Sequence, residues 1–292
     1  MCLIAWNWQP DTDQPLLLIA NRDEYYARPT LPLHRWADTP ISAGKDLQAG
    51  GTWLGLAPGG RMAALTNVRD MRNQRADAPS RGALVSHFLS GQGSAQHYLQ
   101  SIAASAARYN AFNLLVYDGQ TLLGFESQGA RIVAMQPGLA AVSNAGFDTP
   151  WPKLLALKTG LQDWTRQQTE ARVQDEHTLF ALLAHDQPAP DAQLPDTGIP
   201  IERERALSCA FIRSADYGTR ASSLLMLRRN SARFVERSFD AQGFTGEVSL
   251  DFYSAFAWVG IFWIATAYGL AMTRLLPLQA VPRRHSRHCE SR

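Results

Sequence analysis

Apolar residues along the chain fall into short strand-length runs broken by turn residues, with two stretches in which the spacing becomes helical. Residues 3–8 and 16–20 are apolar runs separated by the turn chemistry of residues 10–15, which predicts an opening hairpin. A second pair, residues 52–57 and 61–66, turns on Pro58-Gly59-Gly60 and delivers Asn67 at its far end. From Ser80, a suitable N-cap, Leu84, Val85, Phe88 and Leu89 share one helical face up to the stop at Gly91. Residues 94–109 continue in Ala-rich helical fashion. Strand character returns at 112–117 and 121–126 about Asp118-Gly119, and at 132–135 and 139–143 about Pro137-Gly138, predicting two further hairpins. After Pro152, residues 153–167 place Leu154, Leu155, Leu157, Leu161 and Trp164 in helical register, and 177–185 predict a short helix. The proline-rich stretch 187–200 reads as a loop, followed by strands at 210–213, 220–227 and 232–239. Hairpin-ordered strands with helices grouped between them predict the α+β class, with antiparallel sheets rather than a doubly wound parallel one.

Composition changes this picture mainly at the C-terminal end. The chain has 292 residues, 46% of them apolar, enough to bury a full core. Its net charge of +2 hides a split: residues 273–292 hold five arginines against Glu290, 252–272 hold no charge, and the first 251 residues sum to −2. With no basic stripe in that body, nucleic acid is not an expected partner. Residues 1–251 are therefore read as one domain and 252–292 as a hydrophobic, Arg-rich extension. Two readings of the extension stand: a membrane anchor across 252–272, or an appended tail. The start of the chain carries no signal-peptide pattern, and Cys2, Cys209 and Cys289 are too few and scattered for a disulfide framework. The expected location is cytoplasmic, with membrane association only through the extension.

Candidate chemistry centres on Cys2. Removal of Met1 would put a free α-amine and a thiol on one residue. The amine titrates near ~7.7–8.0 and the thiol near ~8.5, so base and nucleophile would travel together without a histidine. Asn21-Arg22-Asp23-Glu24 follows the strand expected to pair with the one that starts at Cys2. In that geometry Arg22 would lower the thiol pKa and Asp23 would orient the α-ammonium; an ordinary surface turn with an internal ion pair is the alternative. The seven histidines form no HExxH or related pattern, so no metal is expected. The glycines of the 50–55 block predict a tight turn into a strand beside the site, since no Lys-Ser/Thr follows as in a phosphate loop.

The blocks MCLIAWNW, NRDEYYARP, AGKDLQAGGTWLGLAPGGRMAALTNVR, SRGALVSHFL, YNAFNLLVYD, VSNAGFDTPWPK and YGTRASSLLML, in order over residues 2–250, resemble the NRDE family of transport and Golgi organisation protein-like chains. That family is similar to the N-terminal nucleophile hydrolases, especially the cysteine branch of bile salt hydrolases and penicillin acylases. The resemblance implies a four-layer αββα sandwich of two antiparallel sheets between helical layers. It also implies roles: Cys2 as nucleophile, Asp23 as the carboxylate holding the amine, Arg22 as its companion arginine, and Asn67 in the oxyanion hole. Asn144 resembles the branch's second asparagine and Arg220 its late arginine, placed to hold a substrate carboxylate or screen the thiolate. Structural readings remain open for Asn67 and Asn144 as turn residues and Arg220 as a salt-bridge partner. The functions to weigh are a hydrolase or acyltransferase acting on an amide or thioester without a cofactor, a non-catalytic carrier of haem or another amphipathic ligand, and a membrane-tethered scaffold. The carrier reading draws on Trp36, Trp53 and Trp151 as exposed aromatics. Oligomeric state is left open.

Overall fold

A computed structural model of the chain describes residues 2–167 and 175–253, and the backbone of 260–265. Strands β1 (Cys2–Trp8), β2 (Leu16–Tyr25), β10 (Gly138–Val142), β11 (Tyr217–Arg228), β12 (Ser231–Asp240), β13 (Gly243–Tyr253) and β14 (Gly260–Ala265) form one antiparallel sheet in the order β10-β1-β2-β11-β12-β13-β14. The other runs in chain order through β3 (Thr30–Arg35), β4 (Ser42–Asp46), β5 (Leu54–Ala57), β6 (Arg61–Asn67), β7 (Phe112–Tyr117), β8 (Leu122–Glu126) and β9 (Arg131–Ala134). Among the described residues five α-helices accompany them: α1 (Gly82–Ser90), α2 (Ala95–Ala103), α3 (Pro152–Gln167), α4 (Glu176–Leu183) and α5 (Ile201–Ala206).

Side-chain alternation along the strands divides the apolar residues among three cores. Ile4, Trp6, Leu16 and Leu18 meet Leu54, Leu56, Met62 and Leu115 between the two sheets. Leu3, Ala5, Leu17 and Ile19, on the reverse face, pack against Leu154, Leu157, Leu161 and Phe180 of α3 and α4. The outer face of the second sheet, with Ala63, Leu65, Leu114 and Val116, packs against Leu84, Phe88, Leu89 and Leu99 of α1 and α2. Three cores require four layers, so the αββα sandwich is present. Sheets buried on both faces explain why the first strand is buried throughout and apolar apart from Asn7 instead of alternating. Burying each large side chain such as Trp6 or Phe234 contributes about 1.5–3 kcal/mol, which makes these strands the rigid frame of the site.

Several expectations need correction. Strand β2 does not end at residue 20; Asn21, Arg22, Asp23 and Glu24 lie inside it. Residues 132–135 and 139–143 do not form a hairpin, because β9 pairs with β8 while β10 crosses to the other sheet and pairs with β1. Residues 210–213 are irregular apart from a bridge between Arg213 and Gly218. The chain remains in the sheet beyond residue 251: β13 runs to Tyr253, and residues 260–265 pair with it as β14. Among the described residues no helix is long and apolar enough to cross a membrane, and the rest of 252–272 lies outside them.

Candidate active site at the Cys2 cleft

Strand register sets the site. Cys2 pairs with Arg22, Arg22 with Ala221, and Ala221 with Ser238, so one row of residues crosses four strands on the face toward the second sheet. Period-two alternation then gives the Asn-Arg-Asp-Glu sequence its meaning. Arg22 and Glu24 point to the cleft side, 3.7 Å apart. Asn21 and Asp23 point to the helical side and are fully buried. Asn21 Nδ2 donates to the Leu183 and Ala210 carbonyls, each at 2.8 Å, and Asn21 Oδ1 accepts from Ser222 Oγ at 2.6 Å. Asp23 Oδ1 accepts from Thr219 Oγ1 at 2.8 Å, and Tyr217 donates its hydroxyl to the Asp23 carbonyl at 3.0 Å. One asparagine therefore ties the strand to the helices, while the aspartate sits under the start of β1.

The cleft over this row has a volume of about 610 Å³ and is lined by Cys2, Arg22, Asn67, Arg81, Arg220 and Glu236 among others. Cys2 is 6% exposed. Burial pushes its thiol up to about 11; the positive chain terminus and Arg22 pull it down, and Asp23 and Glu24 raise it. With Met1 in place the thiol is largely protonated at neutral pH, and any reaction at its sulfur would need a base to take that proton. Burial also raises the Asp23 carboxyl, against the opposing pull of Lys153 and the chain terminus. Lys153 is itself buried, donates from Nζ to the Leu207 carbonyl at 3.0 Å, and is pushed down to about 8 by desolvation, with Asp23 favouring its charge. Close by, Arg69 Nη1 and Glu204 Oε2 form a buried ion pair at 2.5 Å, and Thr197 donates its hydroxyl to the same carboxylate. A network of charges thus backs Asp23 on the side away from the cleft.

The remaining candidates separate into cleft and frame. Asn67 ends β6 and lines the cleft with Cys2 and Arg22. Asn144 does not line it: its Nδ2 donates to the Asn67 carbonyl at 2.9 Å, and its own carbonyl accepts from Arg69 N at 2.8 Å. Its neighbour Ser143 donates to the Cys2 carbonyl at 3.3 Å, so Asn144 acts as a strut joining Asn67 in one sheet to Cys2 in the other. Arg220 is the extra residue of a β-bulge, between Thr219 paired to Asp23 and Ala221 paired to Arg22. It lines the cleft, but its guanidinium donates to the carbonyls of Phe239, Tyr25, Tyr26 and Arg28 and to Thr30 Oγ1. That arrangement secures the 25–30 turn and leaves it poorly placed as a substrate clamp. Trp53 is buried, and Trp36 and Trp151 are half-buried under Lys45 and Arg69, so the aromatics cited for a carrier are not exposed.

Three residues escaped the reading of the sequence. Arg81, whose Nη1 donates to the Ala111 carbonyl, feels the Cys2 charge across the cleft. Lys153 falls in register with Leu157, Leu161 and Trp164 on the apolar face of α3, and a lysine on such a stripe was a usable signal. Glu236 follows Ala232 and Phe234 at alternate positions of β12, an acid where the pattern calls for an apolar residue. Gly51 explains the glycine block: a Cβ there would lie 2.5 Å from the Gly82 carbonyl carbon, so α1 can begin against the cleft wall only if Gly51 lacks a side chain. Among the described residues no cluster of His, Cys, Asp and Glu is arranged to hold a metal ion.

Fold and cleft together define an αββα protein whose first strand presents a near-buried cysteine to a polar cleft between the sheets. The chain belongs to the Transport and Golgi organisation 2 family, whose sequence profile it matches over residues 1–241. It is 34% identical over 262 residues to the Transport and Golgi organization 2 homolog of Mus musculus, covering 82% of this chain and 93% of that protein. The Homo sapiens homolog is 31% identical over 262 residues with the same coverage. The Drosophila melanogaster protein is 28% identical over 267 residues, covering 82% and 92%. Two solved structures share the general layout at low identity. One is the Caenorhabditis elegans N-acylethanolamine-hydrolyzing acid amidase ortholog, with TM-score 0.41, 11% identity, and coverage of 77% of this chain and 92% of that one. The other is the mutant C2A conjugated bile acid hydrolase of Clostridium perfringens, with TM-score 0.43, 8% identity, and coverage of 91% and 97%.

Proposed function

We propose that this chain is a cysteine-dependent hydrolase or acyltransferase in which Cys2, made the first residue by removal of Met1, attacks an amide or thioester carbonyl. The observation that carries this reading is the strand register that sets Arg22 directly across from Cys2 on the cleft face and Asp23 next to it on the buried face. The α-amine takes the thiol proton as sulfur bonds to the carbonyl carbon. Its ammonium, held by Asp23, then gives the proton to the departing amine or thiol as the carbon–nitrogen or carbon–sulfur bond breaks. Water, or a second nucleophile, attacks the acyl thioester and regenerates the thiol. Asn67 is the side chain assigned to the tetrahedral oxyanion, a contact worth about 3–4 kcal/mol when well aimed. Asn144 and Arg220 act on this reaction as positioning residues, through the Asn67 carbonyl and the 25–30 turn.

The test is intact-mass analysis after incubation with a set of acyl-CoAs and N-acyl amides. The expected result is an acyl adduct on the wild-type protein that disappears in Cys2→Ala. No adduct, together with a haem Soret band that shifts on adding wild-type protein but not Cys2→Ala, would replace catalysis with ligand carriage.

A further inference from the structure

One row deeper in the cleft floor than Cys2, the register runs Ile4, Ala20, Ser223, Glu236 across the same four strands. Ile4 and Ala20 are ordinary core residues, whereas the far end of the row is polar. Glu236 is 4% exposed yet contributes to the cleft lining. Its Oε1 accepts the Leu33 N–H of β3 at 2.7 Å, a bond from one sheet to the other. Its Oε2 lies beneath Gly44, where an added Cβ would stand 3.5 Å away, so the missing side chain leaves the carboxyl uncovered on that side. Ser223, beside it in the row and fully buried, has no hydrogen-bond partner for Oγ among the described residues. Purely structural duty would be served by the Leu33 bond alone; the open oxygen adds recognition capacity to the floor.

We propose that Glu236 is a specificity-determining residue of the Cys2 cleft, whose carboxyl receives an ammonium or amide N–H group of the molecule that Cys2 engages. Three strand spacings separate β1 from β12, which puts the recognised group roughly 14 Å across the sheet from Cys2. The preferred ligand is therefore elongated, with a donor-bearing or cationic group remote from the reacting carbonyl. This inference rests on the reading of Cys2 as the reactive group.

Glu236 stands in mixed electrostatic company. Arg22 and Glu24 face it from β2 and Arg220 from β11, while Asp240 ends its own strand. Across the cleft, β4 brings Lys45 and Asp46, while Arg35 of β3 lies outside the lining with its guanidinium over Phe252. The histidine of β3, His34, is engaged with the Pro32 carbonyl. Burial pushes the Glu236 carboxyl up to about 7, opposed by the Leu33 N–H and by Arg22. The charge offered to a ligand therefore switches near neutral pH.

Methanethiosulfonates test this without knowledge of the substrate, because thiolate attack forms a mixed disulfide and releases methanesulfinate. The rates at which trimethylammonioethyl and sulfonatoethyl methanethiosulfonate modify Cys2, read by peptide mass spectrometry, are compared as a ratio across neutral pH. The ratio cancels the thiolate fraction of Cys2 itself. The expected result is a preference for the cationic reagent that rises about tenfold through a midpoint near pH 7. Glu236→Gln, which keeps an oxygen for the Leu33 N–H, removes that step, with each rate normalised to labelling of the same protein by neutral iodoacetamide. Glu236→Asp retains it. A step that survives in Glu236→Gln, or a ratio flat with pH in the wild type, would overturn the assignment and leave Cys2 as nucleophile untouched. Failure of all three reagents to reach Cys2 would overturn both.

Discussion

Replacing Glu236 with glutamine should remove a loss of stability that the wild-type protein undergoes as pH rises from about 4.5 to about 7. In the folded chain this buried carboxyl keeps its proton until about 7, whereas its ordinary value is 4.5. Between those values the native state binds more protons than the unfolded state, so the unfolding free energy falls with increasing pH. At about 1.4 kcal/mol per pH unit, the gap makes a loss of about 3 kcal/mol, complete above the folded value. Glutamine cannot ionise, and its carbonyl oxygen can still accept the Leu33 N–H that Glu236 accepts at 2.7 Å. The assay is urea denaturation followed by tryptophan fluorescence at a series of pH values from about 4 to about 8, with equal m-values checked for the two proteins. Asp23, also buried and raised, titrates against the same background, so the decisive quantity is the difference between the proteins and not the wild-type slope. That difference should grow by about 3 kcal/mol in favour of the variant as pH rises. Parallel stability curves would refute the reasoning, showing a carboxylate ionised throughout and matched by Arg22.

Three further outcomes follow from the frame around the site. Arg69→Met leaves Glu204 charged and buried, and should lower stability by about 3–5 kcal/mol in denaturant titration, with Arg69→Met/Glu204→Leu recovering much of the loss. Gly51→Ala forces a methyl group to within 2.8 Å of the Gly82 carbonyl oxygen; a cost of about 1–3 kcal/mol should appear as a lowered thermal midpoint. Arg220→Lys replaces a planar fork serving four carbonyls with a single ammonium, and amides in the 25–30 turn should exchange with deuterium faster than in the wild type.

What could be read from the chain followed its local rules. The apolar runs at 3–8 and 112–117 sit in strands because they are buried on both faces, and the helical spacing from residue 94 is realised in α2, which Ser94 caps through the His97 N–H. Ser80, by contrast, accepts only the Gly82 N–H at 3.4 Å, and α1 starts with Arg81 at its cap position. Strands β3 and β4 escaped notice because Pro32 suits the edge strand β3, and Gly44 with a high share of polar residues breaks the apolar pattern in β4. The crossing of β10 to β1 is a long-range choice that no turn between 135 and 138 encodes. Within the site, the pairing of Cys2 with Arg22 was accessible from hairpin geometry. The bulge at Arg220 was not, since an extra residue leaves the strand's composition unchanged while redirecting its side chain.

The central claim is that Cys2 carries both the thiol and the amine. It is tested most directly by mass spectrometry of the N-terminal peptide of the purified protein after brief exposure to an acyl-CoA. The account predicts a chain that begins at Cys2, with the acyl group on sulfur and removable by hydroxylamine. A chain that keeps Met1 and carries no acyl group would contradict it.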